Sequence, residues 1–91
     1  MTTADDFRQW LEREKRLSRK SIESYTAALA GILSDYAGVP LLQVTSFQEL
    51  RSVSEKVLRN PDFVALNDRG HQMYSAAFNH YSDFLRERFG S

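Results

Sequence analysis

The chain has 91 residues, no cysteine, and twelve Lys and Arg against twelve Asp and Glu, so its formal net charge is zero. That length gives one domain with a single core and little stability to spare. Lack of cysteine removes any disulfide framework or thiolate chemistry, and the balanced charge excludes attraction to nucleic acid by bulk electrostatics. No apolar run approaches the ~18 residues of a membrane span, and Met1 to Phe7 lacks the basic-then-apolar layout of a secretory signal, so a soluble, cytoplasmic protein is expected.

Five helices are predicted. The first covers about Ala4 to Arg16, with Thr3 as cap, Asp5 and Asp6 complementing the dipole of its first turn, and Phe7, Trp10 and Leu11 on one face. The second starts behind Ser18, carries Ile22, Tyr25, Leu29, Ile32, Leu33 and Tyr36 at helical spacing, and ends before Gly38 and Pro40. Ser46 and Glu49 form a capping box that opens a third helix with Phe47, Leu50, Val53 and Val57. Asn60 followed by Pro61 gives a cap and a first-turn proline, opening a short helix to about Leu66. The last helix is placed from about Asp68 to Arg88, with Tyr74, Ala77, Phe78, Tyr81, Phe84 and Leu85 as its stripe. No segment alternates with period two, so the fold class is all-α: a compact bundle of four to five helices. Its core is expected to hold Trp10, Leu11, Ile22, Tyr25, Leu29, Leu33, Leu50, Val53, Tyr74, Ala77, Tyr81 and Leu85.

The inventory for catalysis is thin. His71 and His80 are nine residues apart on one predicted helix, which points them to opposite sides and prevents a shared metal. The carboxylates are scattered, and neither a glycine-rich phosphate loop nor a serine nucleophile elbow is present. Neither an enzymatic activity nor a cofactor or metal is expected.

Charge is informative only locally. Arg13, Lys15, Arg16, Arg19 and Lys20 face the single acid Glu14 between positions 13 and 20, a local net of +4, while the rest of the chain holds seven basic residues against eleven acidic ones. The run falls on the junction of the first two helices, with Ser18 ready to cap the second, which is how a helix N-terminus is offered to a phosphate. A solvated surface is the ordinary role of such a run. Further along the second helix, Lys20, Ser24, Ala27, Gly31 and Ser34 form a face that is small after the lysine. Tight packing against a neighbouring helix is its preferred explanation, approach to a phosphate backbone with Ser24 donating the other. On the last helix, His71, Ser75, Asn79, Ser82 and Arg86 make a polar stripe poor in the Glu and Lys of a merely solvating face. Arg69 with Gly70, placed at that helix's start, is a second candidate phosphate site, because a cation there opposes the helix dipole unless an anion is bound.

A family resemblance gathers at these residues. The pattern Phe7, Trp10, Leu11, then Leu17, Ser18, Lys20, Ser21, Ile22, Ser24, Tyr25, Ala28 and Leu29, resembles the start of the core-binding, SAM-like domain of tyrosine recombinases and phage integrases. The segment from Asn67 through Arg69, Gly70, Met73 to Ala77, Asn79, Tyr81, Phe84 and Leu85 is similar to the closing helix of small helical modules fused to bacterial restriction-type nucleases. The resemblance implies a non-catalytic module clamping duplex DNA, its catalytic half lying on another domain of the parent chain or on a partner protein. The chain departs from the pattern in its neutral charge and in lacking the recombinase Arg, His and Tyr set. Candidate DNA-contacting residues are thus Arg16, Ser18, Arg19, Lys20, Ser21 and Ser24 at the first junction, and Arg69, Gly70, His71, Ser75 and Asn79 at the closing helix, with Asn79 placed for an adenine edge. The alternative is a helical protein-interaction or oligomerisation module, resting on an aromatic load (Trp10, Tyr36, Phe47, Phe63, Phe78, Phe89) that a small core need not hide.

Overall fold

Hydroxyl and amide side chains start three of the helices where the sequence puts them. The computed structural model describes residues 3–89, which form α1 (Thr3–Trp10) continuing into a wider π turn (Leu11–Lys15), α2 (Arg19–Ala30), α3 (Ile32–Ala37), a short 3-10 turn (Leu41–Gln43), α4 (Phe47–Leu58), α5 (Pro61–Arg69) and α6 (Met73–Phe89). Ser18 Oγ accepts the Ser21 N–H at 3.2 Å, Ser46 Oγ the Glu49 N–H at 3.3 Å, and Asn60 Oδ1 the Asp62 N–H at 2.9 Å. Among the described residues there is no strand. Thr3, expected to cap α1, is itself helical.

Three boundaries differ from the expected ones, each for a local reason. Arg16 adopts the left-handed conformation (φ 53°) and closes the first helical stretch one residue early. The second helix breaks at Gly31 (φ −108°, ψ −97°), where Ser34 Oγ donates to the Leu29 carbonyl at 2.6 Å and accepts the Leu41 N–H at 3.0 Å. A Gly and a nearby Ser are the usual pair at such a kink, and with α2 and α3 taken as one kinked helix the bundle has five. The third difference is the largest: Asp68 and Arg69 end α5, and α6 begins only at Met73.

Helix α6 is the axis of the bundle, packing on α1, α2, α4 and α5. One continuous core results. Trp10, Leu11, Ile22, Leu29, Leu33, Leu50, Ala77, Tyr81 and Leu85 are buried as expected, while Tyr25, Val53 and Tyr74 are half-buried at its edge. Phe7, Ala28, Leu41, Val44, Val57, Phe63, Phe78 and Phe84 complete it. Two ring clusters carry much of the packing: Phe7, Trp10, Tyr81 and Phe84 join α1 to α6 at centroid distances of 5.2 to 6.4 Å, and Tyr36, Phe63, Tyr74 and Phe78 join α3 and α5 to α6 at 5.7 to 6.5 Å. Two buried hydroxyls are satisfied internally. Tyr81 Oη donates to the Val44 carbonyl at 2.7 Å, and Thr26 Oγ1 donates to the Ile22 carbonyl at 2.7 Å. The Cα radius of gyration, 12.2 Å, is the ~12 Å that one domain of this length requires.

Candidate nucleic-acid interface

The first junction is built as a short corner. The left-handed Arg16 turns the chain, Leu17 drops back against the core, and Ser18 in an extended conformation caps α2. Ser18 Oγ also donates to Ser21 Oγ at 3.1 Å, so these two hydroxyls serve the cap. Arg19 and Lys20 occupy the first helical positions, where backbone N–H groups lack intrahelical acceptors.

Of the five cations in the basic run, two are occupied. Arg13 pairs with Glu14 at 3.0 Å, and Lys15 reaches Asp83 of α6 at 3.6 Å while lying over the Trp10 ring at 5.4 Å. Arg16, Arg19 and Lys20 are exposed and form no ion pair among the described residues. The first turn of α2 contains no acid, whereas those of α1, α4 and α5 do. Two cations at a helix start work against the dipole, each at roughly 0.3–1 kcal/mol. Beyond them Ser24, Ala27 and Gly31 are exposed and Ser34 half-buried. The preferred explanation of this small-residue face, packing against a neighbouring helix, is therefore corrected: the face lies open along α2, and Gly31 serves the kink.

Beside the corner a cleft of about 330 Å3 lies between α1 and α2, lined by Arg8, Glu12, Leu17, Arg19 and Glu23 among others. Its charges are largely balanced within it. Arg8 donates to Asp5 at 3.2 Å and keeps Nε 3.2 Å from Glu23 Oε1, off the line of the N–H.

The second junction, between α5 and α6, is organised differently from expectation. Arg69 is the last residue of α5, where a cation complements the dipole, so the reason for expecting an anion at Arg69 and Gly70 disappears. Gly70 caps α5, and a Cβ there would stand 2.9 Å from the Tyr74 ring. His71 (φ 54°) and Gln72 (φ 67°) are consecutive left-handed residues in the turn. His71 is thus absent from the polar stripe of α6, and its position relative to His80 is not that of one helix. Asn67, 7% exposed, closes the corner: its Oδ1 accepts the Ser75 N–H at 3.0 Å, and its Nδ2 donates to Gln72 Oε1 at 2.9 Å and Ser75 Oγ at 3.1 Å. Ser75, expected to face DNA, is half-buried and held in this network. Asn79 is exposed, farther along α6.

The rest of the polar stripe borders a groove between α4 and α6. Asn79, Ser82 and Arg86 face Phe47, Arg51 and Ser54 across about 580 Å3, with Asp83 at one side. The pairing of Phe47 with Arg86, whose guanidinium lies 4.9 Å from the ring centroid, joins residues 39 apart and is not visible in helical spacing. His80 sits against the Tyr25 ring at 5.0 Å, and its pKa is lowered by partial burial and then by nearby Lys15, with Asp83 opposing.

Among the described residues no group of three or more His, Asp or Glu is placed to hold a metal ion, and no helix is long and apolar enough to cross a membrane. Of the aromatics expected to form an exposed patch, Trp10, Phe63 and Phe78 are buried and Tyr36 and Phe47 half-buried; the Phe89 side chain lies outside the described residues. Among those residues, only Leu58 and Val64 are exposed large hydrophobics. No family model matches the chain, and no curated protein or solved structure matches it.

Proposed function

We propose that the chain is a non-catalytic DNA-binding module of the integrase core-binding type, which holds duplex DNA at the N-terminus of α2. In this reading it is the accessory domain of a recombinase or restriction-type nuclease system, with catalysis on another domain or partner. One observation carries the proposal: Arg16, Arg19 and Lys20 stand exposed, with no ion pair among the described residues, around a helix start without an acid, an arrangement whose electrostatic cost an incoming phosphate relieves. The open face from Lys20 through Ser24 to Gly31 lets a backbone approach along α2. Three phosphate contacts at about 0.9 each give a shallow salt dependence, with a slope near −2.7 in log affinity against log salt. Binding is accordingly weak and indifferent to sequence at this corner. Whatever sequence preference exists comes from elsewhere, and Asn79 is the exposed candidate.

The test is fluorescence anisotropy with a labelled duplex between 50 and 200 mM salt. Replacing Arg19 and Lys20 by Glu together is expected to flatten the slope by about 1.8 and to weaken binding to every sequence alike. A double variant with the parent's slope removes this corner from the interface. If the parent itself fails to bind duplex DNA but associates in ultracentrifugation, the interaction-module reading takes over.

A further inference from the structure

The groove between α4 and α6 carries a second inference, independent of the corner at α2. Arg86 is held there by a ring instead of a carboxylate. Its guanidinium lies over Phe47 at 4.9 Å, is exposed, and forms no ion pair among the described residues. A cation–π contact holds the charge over the ring without using its N–H donors, whereas a carboxylate would occupy them. The carboxylate beside it, Asp83, has Lys15 at 3.6 Å, itself a part-exposed pair of modest weight. Across the groove Arg51 pairs among the described residues with Glu55, at 3.4 Å and with both side chains largely exposed, a pair of little energetic weight that a better anion displaces. Asn79, Ser54 and Ser82 add an amide and two hydroxyls to the walls.

A concave site with two guanidiniums, short polar side chains and an arginine held over an aromatic ring matches one chemistry. A planar guanidinium offers its face to a base and its edge to a phosphate, and the contact with Phe47 keeps Arg86 at the groove. Duplex DNA keeps its bases stacked and presents only the edge chemistry. An unpaired nucleotide presents both, and the groove offers about 580 Å3 to hold it. The geometry points to a single-stranded nucleic-acid segment as the occupant: one base stacks on the Arg86 plane over Phe47, and the adjoining phosphates pair with Arg51 and the outer edge of Arg86. The Lys15–Asp83 pair joins this groove to the basic corner, so a duplex held at α2 and an unpaired segment in the groove can be neighbours on one molecule.

Titration with hexathymidylate at low salt, followed by backbone amide NMR, tests the assignment. Shifts are expected at Ser54, Asn79 and Ser82. Arg86→Ala and Phe47→Leu are each expected to weaken binding about fivefold or more, the effect of losing one stacked base. Arg86 is exposed, so its removal leaves the core alone; a thermal melt shows whether Phe47→Leu remains folded, and Arg86→Ala decides the matter if it does not. The Arg19→Glu, Lys20→Glu protein is expected to lose the duplex and to retain the groove shifts. Hexathymidylate shifts confined to the α2 corner, or equal affinity for parent and Arg86→Ala, overturn the groove. A parent that shifts Ser54, Asn79 and Ser82 with the oligonucleotide but ignores duplex DNA keeps the groove and refutes the duplex reading instead.

Discussion

The two corners of this molecule look alike in sequence and differ in what their polar groups do. Each follows a basic residue, each uses a left-handed residue other than glycine to turn the chain (Arg16 at one, His71 and Gln72 at the other), and each precedes a helix of the bundle. At the α1–α2 corner the capping hydroxyls are satisfied locally, and three cations are left facing solvent. At the α5–α6 corner the polar side chains bond one another around a buried amide: Asn67 is buried and bonds Gln72 and Ser75, and Gln72 Nε2 donates to Asp68 at 3.0 Å. A shift of about five residues in where a helix begins, from Asp68 to Met73, turns Arg69 from a cation opposing a dipole into one complementing it. The sign of an electrostatic argument at a helix end thus depends on a boundary that composition locates poorly.

That contrast is broken most directly at the two caps. Asn67→Ala removes three hydrogen bonds from a buried site and leaves the Ser75 N–H without its acceptor, so a loss of about 2–3 kcal/mol is expected in urea unfolding. Ser18→Ala removes an exposed cap and is expected to cost about 1 kcal/mol. Equal losses would mean that the α5–α6 network is no tighter than an ordinary cap. The same two proteins separate structure from binding: at a temperature where both are folded, neither is expected to change the salt slope for duplex DNA, because neither changes charge.

A smaller effect is expected from the left-handed residues. An L-residue pays roughly 1–2 kcal/mol in this conformation, and glycine recovers part of that after its larger unfolded-state entropy is counted. Arg16→Gly and His71→Gly are each expected to raise stability by about 0.5–1 kcal/mol. Gln72→Gly is not, since it also deletes the bonds to Asn67 and Asp68. Arg16→Gly should in addition flatten the salt slope by about 0.9, a consequence His71→Gly lacks. A protein stabilised by Arg16→Gly with the parent's slope would take Arg16 out of the interface.

Much of the bundle was legible in the sequence because its signals are local. Ser18, Ser46 and Asn60 cap where they were expected to, and nine of the twelve expected core positions are buried because a 3.6-residue period fixes which face each helix turns inward. What escaped depends on contacts between segments. Nothing within α5 or α6 announces that Asn67 will cap the next helix across a turn, so α6 starts about five residues later than its periodicity predicts and Ser75 is held in the cap. The kink at Gly31 rests on Ser34 bonding back to Leu29 and forward to Leu41, a link between α2, α3 and the loop beyond. At the candidate interface, the exposure of Arg19 and Lys20 followed from the pattern; the engagement of Lys15 by Asp83, 68 residues away, did not.

That long-range pair beside the first corner is the setting for the smallest effect, which concerns pH. His80 is half-buried against Tyr25 of α2, with Lys15 and Asp83 the charged groups that act on it. Partial burial, then Lys15, lowers its pKa below the ordinary 6.5, outweighing Asp83. A base whose pKa is lower in the folded chain than in the unfolded one binds its proton more readily when unfolded. Its contribution to stability is therefore complete above pH 6.5 and is lost as the pH falls from 6.5 toward the folded value. The urea midpoint of the parent is accordingly expected to decline between pH 7 and pH 5 by more than that of His80→Gln, which keeps a polar side chain of similar reach without the titration. Lys15→Gln removes one of the two causes of the shift and should narrow the difference. Parallel declines for parent and His80→Gln would show that acid sensitivity in this range comes from the carboxylates, leaving the α2–α6 contact at His80 indifferent to protonation.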